Sequence, residues 1–128
     1  MTTNNQIKEI FDDARNIHLQ AMEQLAEGDI RDAAEKAWCA TKRATDALIL
    51  SRTGRDPQTT SQTSGGLRSL AREDERFQSL RTRYAICISE LHSGCFYDGH
   101  CEPEDVISAT IRETAQYIED AERLSVNP

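Results

Sequence analysis

Apolar residues fall at Ile7, Ile10, Phe11, Ala14, Ile17, Ala21 and Leu25 between about Asn5 and Glu27. Steps of three and four place them in one stripe, which predicts a first helix. Gly28 supplies a stop, and Asp29, with Asp32 three residues on, predicts the cap of the next helix. That second helix runs from about Ile30 to Arg52, with Ile30, Ala33, Ala34, Ala37, Trp38, Thr41, Ala44, Ala47, Leu48 and Ile49 largely on one side. Its small residues permit close packing. Because the link is so short, residues 5–52 are expected to form an antiparallel helical hairpin.

Thr53-Gly54 ends the second helix, and from Arg55 to Gly66 no strongly apolar residue occurs, so this stretch reads as a long loop. A short helix is expected over Leu67–Arg72. A longer one follows over about Glu75–Ser93, with a seam of Phe77, Leu80, Tyr84, Cys87, Ile88 and Leu91. Two glycines interrupt the pattern between Ser93 and Cys101. Glu102-Pro103-Glu104-Asp105 then opens a last helix, with Pro in its first turn and acids at its positive end. Val106, Ile107, Ile111, Thr114, Ile118, Ala121 and Leu124 form its stripe. The expected fold is all-α: an antiparallel up-and-down bundle of four long helices plus one short helix, in a single domain spanning 1–128. No period of 20 to 50 residues repeats, although the first hairpin alone would suit a tetratricopeptide unit.

Composition agrees with this pattern. Aromatics make up 5% of 128 residues, with six glycines and three prolines, which suits helices better than a sandwich or barrel. No apolar run approaches the roughly 18 to 20 residues that span a bilayer, and Met1-Thr2-Thr3-Asn4-Asn5 lacks the character of a secretory signal, so no membrane association and a cytoplasmic location are expected. Reduced thiols are therefore expected at all four cysteines, with Cys39 and Cys87 as core residues. The net charge is −7, yet nine basic residues face five acids between Lys42 and Arg83. Any attraction for anions is thus local rather than global.

Within that segment Arg68, Arg72 and Arg76 recur every four residues and would form one guanidinium face for phosphate or carboxylate if one helix ran through them. The alternative is a solvated face paired with Glu73 and Glu75. His92, Cys95, His100 and Cys101 offer two imidazoles and two sulfurs within ten residues, but their spacing is not a standard zinc pattern, so they are only weak metal candidates and no metal is expected. The other reading has His92 and the pair Phe96-Tyr97 closing the core at a helix end. His18 lies on the apolar face of the first helix and is expected as a hydrogen-bonded core residue. No phosphate loop, nucleophile elbow, H-E-x-x-H or Cys-x-x-Cys occurs, and no cofactor is implied.

Three stretches carry a family resemblance: Ala33-Ala34-Glu35-Lys36-Ala37-Trp38-Cys39-Ala40-Thr41-Lys42-Arg43-Ala44, Leu91-His92-Ser93-Gly94-Cys95-Phe96-Tyr97-Asp98-Gly99, and the closing helix at Glu104-Asp105-Val106. Together they resemble the HEPN superfamily of small helical bundles, and within it the PaREP1-like branch. The resemblance implies a bundle that pairs as a homodimer around a central cleft, with a nucleotidyltransferase-type or other protein among its partners. Many HEPN members are metal-independent endoribonucleases with an Arg-x4–6-His motif, a titrating base beside a permanent cation. This sequence departs from that motif. Arg83 precedes His92 by a helical rise of about 13 Å and on the opposite face, while Arg81 shares its face but lies about 16 Å away.

The leading expectation is a non-catalytic binding or scaffold protein, homodimeric, with a cleft near His92 and Tyr97 and the basic segment carrying Arg68, Arg72 and Arg76. Its ligand would be a nucleotide, RNA or a partner protein. Two other classes compete: a toxin-type ribonuclease in which His92 acts with a displaced Arg81 or Arg83, and a short peptide-binding module of tetratricopeptide type.

Overall fold

A computed structural model describes residues 4–125, and every described element is helical. Helix α1 spans Asn4–Ala26 and α2 spans Ile30–Thr53. The Asp29 carboxylate accepts from the Asp32 N–H at the start of α2. Gly54 ends it at φ 77°, its N–H donating to the Leu50 carbonyl, a left-handed closure that glycine makes without steric cost.

Helix α2 is the centre of the molecule. Thirteen of its residues are buried, among them Ala33, Ala34, Ala37, Ala40, Ala44 and Ala47. Alanines on successive turns let other helices approach closely, and α1, α5 and the segment following α4 all pack on α2. One apolar cluster gathers side chains from every helix, including Phe11, Trp38, Leu48, Leu67, Leu80, Leu91, Ile111 and Ile118.

The stretch read as a loop from Arg55 to Gly66 is helical from Thr60 onward. Helix α3 spans Thr60–Glu73, opened by the Thr59 hydroxyl, which accepts from the Gln62 N–H. Its inward positions are Thr63, Leu67, Leu70 and Ala71. The fully buried Thr63 hydroxyl donates to Asp46 Oδ1 at 2.6 Å, and Lys42 Nζ reaches Oδ2 of the same carboxylate at 2.9 Å. A polar anchor thus takes the place of the missing apolar one. Gly66 has a packing role, since a Cβ there would stand 2.9 Å from Ile49 Cδ1.

Asp74 breaks the chain out of α3 in an extended conformation, and a single 3-10 turn over Glu75–Phe77 leads into α4, Gln78–Ile86. The expected single helix to Ser93 instead changes type. Residues Cys87–Tyr97 form a π-helical segment, an unusually wide coil that runs on through Gly94. Its wider hydrogen bonding shows at its end, where the Asp98 N–H donates to the Ser93 carbonyl. A Cβ on Gly94 would lie 3.0 Å from the Ser89 carbonyl oxygen, so this position favours glycine. Helix α5 spans Glu104–Ser125 and follows a cis Glu102–Pro103 peptide bond.

Side-chain pairs fix the directions of the elements. Arg31, Glu35 and Thr41 of α2 meet the Tyr97 carbonyl, His92 and Cys87 in turn, so the π segment runs opposite to α2. Thr45 and Arg52 of α2 meet Tyr117 and the Leu124 carbonyl of α5, so those two helices run the same way. His18 is buried as expected, its Nδ1 2.8 Å from Thr114 Oγ1. Because that hydroxyl donates to the Ile111 carbonyl, it accepts from His18 Nδ1–H. No helix among the described residues is long and apolar enough to cross a membrane.

Candidate functional site

The π segment and the first turns of α2 build a polar and aromatic cluster at the surface. On α2, Arg31, Glu35 and Trp38 are separated by four and three residues and share a face. Opposite them, the wide π turn carries His92 and, five residues on, Tyr97. His92 Nδ1 is 2.8 Å from Glu35 Oε1. A carboxylate only accepts, so Nδ1 carries the hydrogen and the second ring nitrogen is the one available to a ligand. The imidazole also rests near the buried Trp38, ring centroids 5.4 Å apart, and Trp38 in turn meets Tyr84 at 5.2 Å.

Tyr97 completes the cluster from outside. Its ring meets the His92 ring edge-on at 5.1 Å, yet the residue is 67% exposed. Of the two expectations for Tyr97, a cap on the core or a member of a cleft with His92, the first does not hold, since the ring stands in solvent with the half-buried Phe96 behind it. Arg31 pins the backbone beneath, its Nε donating to the Phe96 carbonyl at 2.6 Å and its Nη2 to the Tyr97 carbonyl at 3.0 Å. Gly99, at φ 70°, passes beside the same guanidinium, where a Cβ would stand 3.3 Å from Nη1.

The loop from Phe96 to His100 is closed at its base by a disulfide between Cys95 and Cys101, whose Cα atoms are 4.3 Å apart. The expectation of four reduced thiols is therefore corrected for this pair. The π segment overshoots the end of a regular helix and the chain folds straight back toward α5, which brings Cys101 onto Cys95. The weak metal set also dissolves: two of its sulfurs are bonded to each other, His92 faces Glu35, and His100 is exposed. Among the described residues no group of three or more His, Cys, Asp or Glu side chains is placed to hold a metal ion. Of the remaining cysteines, Cys87 is buried, and burial pushes its thiol up to about 11, while Cys39 is exposed rather than in the core.

The arginines singled out from spacing are dispersed. Arg83 Nη1 donates to Asp120 Oδ2 at 2.8 Å, and its guanidinium lies over the Tyr117 ring at 5.4 Å, so it faces α5. Arg81 is exposed on α4. The helix break at Asp74 separates Arg76 from Arg68 and Arg72. Arg76 turns back onto Asp74, holding that carboxyl below its ordinary range. Arg68 lines an open groove of about 970 Å³ between the end of α2 and α3, along with Arg55 and Gly65, whereas Arg76 lines a different recess beside Arg83. Arg72 is exposed on α3.

Arg31 and Glu35 are the members of the cluster that sequence reasoning missed. Their signal was their shared face with Trp38, which was read only as an apolar stripe. An all-helical protein with a histidine, carboxylate, arginine and tyrosine gathered at one end of α2 is the class that this geometry defines. The sequence matches the archaeal PaREP1/PaREP8 family over residues 9–118, and the chain belongs to that family. No curated protein and no solved structure matches it.

Proposed function

We propose that this chain is a non-catalytic binding protein of HEPN type, a cytoplasmic homodimer of up-and-down bundles that takes RNA or a nucleotide at the cluster around His92. The observation that carries this reading is the partner of His92. A carboxylate, Glu35, occupies the imidazole's Nδ1 side, while Arg83 is held by Asp120 on α5. An Arg–His pair for cleaving phosphodiesters needs a cation beside the imidazole where charge develops on phosphate. The pair of His92 with either Arg81 or Arg83 lacks that arrangement within one chain. What the cluster offers instead suits binding: the exposed Tyr97 ring as a stacking platform, the free nitrogen of His92 as a hydrogen-bonding group, and Arg31 as a nearby cation.

The test has two parts. Purified protein incubated with tRNA in excess chelator should leave the RNA intact. Cleavage that His92→Ala abolishes would overturn the non-catalytic reading and establish the ribonuclease. In fluorescence anisotropy with a short single-stranded RNA, Tyr97→Ala should weaken binding roughly tenfold, within the usual range for loss of one base-stacking contact. Binding should weaken only modestly with salt, because the cluster offers a single cation, Arg31, and the salt slope grows with the number of phosphates neutralised. Sedimentation at micromolar concentration should give twice the 14.4 kDa chain mass; a monomer that binds apolar peptides would favour the tetratricopeptide-like alternative.

A further inference from the structure

We propose that the Cys95–Cys101 disulfide is a redox modification site, reduced by small or protein dithiols, and that its bond holds Tyr97 against His92. Three observations place it there. The disulfide closes a loop of five residues, Phe96 to His100, and nothing else in that loop anchors a side chain in the core. The same loop carries the Tyr97 ring that meets His92 and the two carbonyls that accept from Arg31. The two sulfurs differ in access, since Cys95 is fully buried against α2 while Cys101 is only half-buried.

That asymmetry sets the direction of attack. A dithiol's thiolate attacks Cys101 Sγ, the S–S bond breaks, and Cys95 leaves as a thiolate and takes up a proton. The second thiol of the dithiol then attacks its own sulfur in the mixed disulfide, expelling the Cys101 thiolate, which is protonated in turn. Two electrons pass from the dithiol, which ends as a cyclic disulfide, to the protein, which ends with two thiols. Re-oxidation is the reverse exchange with a disulfide such as oxidised glutathione. Cys87 does not compete, because its thiol lies buried between the start of the π segment and α2.

Once reduced, the strap keeps the Arg31 hydrogen bonds, the edge contact of Tyr97 and the backbone bonds from the Asp98 N–H to the Ser93 carbonyl and the His100 N–H to the Gly94 carbonyl, but it loses its one covalent tie. Helices α1, α2 and α5 keep all of their packing, so the change is local. The inference rests on the His92 reading for its functional meaning, but its test uses the ligand-free chain. Full-length protein is oxidised with glutathione disulfide or reduced with dithiothreitol, then denatured and alkylated for mass spectrometry. Cys95 and Cys101 are expected to escape the label in the first case and to carry it in the second, read peptide by peptide so that glutathione on the exposed Cys39 is counted separately. Amide hydrogen exchange by NMR should then quicken tenfold or more across residues 96–100 on reduction, with the Tyr97 and His92 ring resonances shifting and the amides of α2 unchanged. Cys101→Ser should reproduce the reduced spectrum in the strap without any reductant, as should Cys101→Ala. Label on Cys95 and Cys101 after oxidation, an unmoved strap, or exchange that rises throughout α2 would each overturn the proposal, whether or not the protein binds RNA.

Discussion

Two histidines divide the molecule into two kinds of structure. His18 lies 8% exposed between α1 and α5, and its Nδ1 hydrogen goes to a threonine whose own hydroxyl is spent on a backbone carbonyl. His92 lies between α2 and the π segment with its side chain 29% exposed, and Glu35, the carboxylate it meets, is 25% exposed. The first pair is closed: the imidazole's Nδ1 hydrogen and the threonine hydroxyl are both used, and burial lowers the pKa of the imidazole, favouring its neutral form. The second remains open on one side. Around His18 the helices are regular and their stripes simple, whereas around His92 the helix widens, the chain doubles back and a disulfide closes the turn. Packing accounts for the first region, and in the second the irregular backbone is what brings polar side chains together at the surface.

The contrast is tested most severely in the closed region. Leu48→Ala removes a fully buried side chain from the centre of α2 and should cost about 3 kcal/mol, read as a lower urea midpoint. A loss below 1 kcal/mol would mean that the alanine-lined core is far looser than described. Tyr117→Phe comes next. The Thr45 hydroxyl donates to the Thr41 carbonyl and so accepts from Tyr117 at 2.6 Å; losing that buried bond should cost about 1 kcal/mol by the same measurement.

Acid should act on the closed region through His18. Its pKa is depressed in the folded chain, so the unfolded chain binds the proton more readily, and stability is lost as pH falls below the ordinary value of 6.5. Urea midpoints at pH 7.5 and 5.5 should differ in that direction, and equal midpoints would break the account of His18. The smallest effect on stability is expected in the open region. Tyr97→Ala should move the midpoint by less than about 0.5 kcal/mol, because the ring stands in solvent. A larger loss would make Tyr97 a structural residue and blur the distinction.

Much of the closed region was legible in the sequence. The stripes of α1, α2 and α5 follow the 3.6-residue period, and Gly28, Asp29 and Gly54 mark ends with recognisable cap chemistry. The second half of α3 matches the short helix expected over Leu67–Arg72, whereas its first half was hidden because its first inward residue is Thr63, anchored through Asp46, and because Gly65-Gly66 reads as a break when Gly66 makes a close approach to Ile49. In the open region His92, Phe96 and Tyr97 stood out, and Cys95, His100 and Cys101 stood out as weak metal candidates, but the pairing of the two sulfurs did not. A π turn leaves the inward residues Cys87, Leu91 and Cys95 at steps of four, which an α-helical reading also accepts, so the widening left no clear trace. Arg31 and Glu35 lie some 60 residues from the strap, beyond the reach of any local motif. The regular spacing of Arg68, Arg72 and Arg76 misled because Asp74 interrupts the helix that spacing assumes.

The three-residue connection between α1 and α2 bears on the order of events when the chain folds. Bringing α1 onto α2 closes a loop of three residues, so little chain entropy opposes the contact, whereas the strap meets α2 only after some sixty intervening residues have been ordered. The hairpin is therefore expected to be the nucleus. Truncating Phe11 should slow refolding in stopped flow, whereas Tyr97→Ala should leave the refolding rate unchanged. A refolding rate that ignores Phe11 would place the nucleus elsewhere. On this ordering the strap and the cluster around His92 are the last part of the molecule to take shape, assembled on a scaffold already complete.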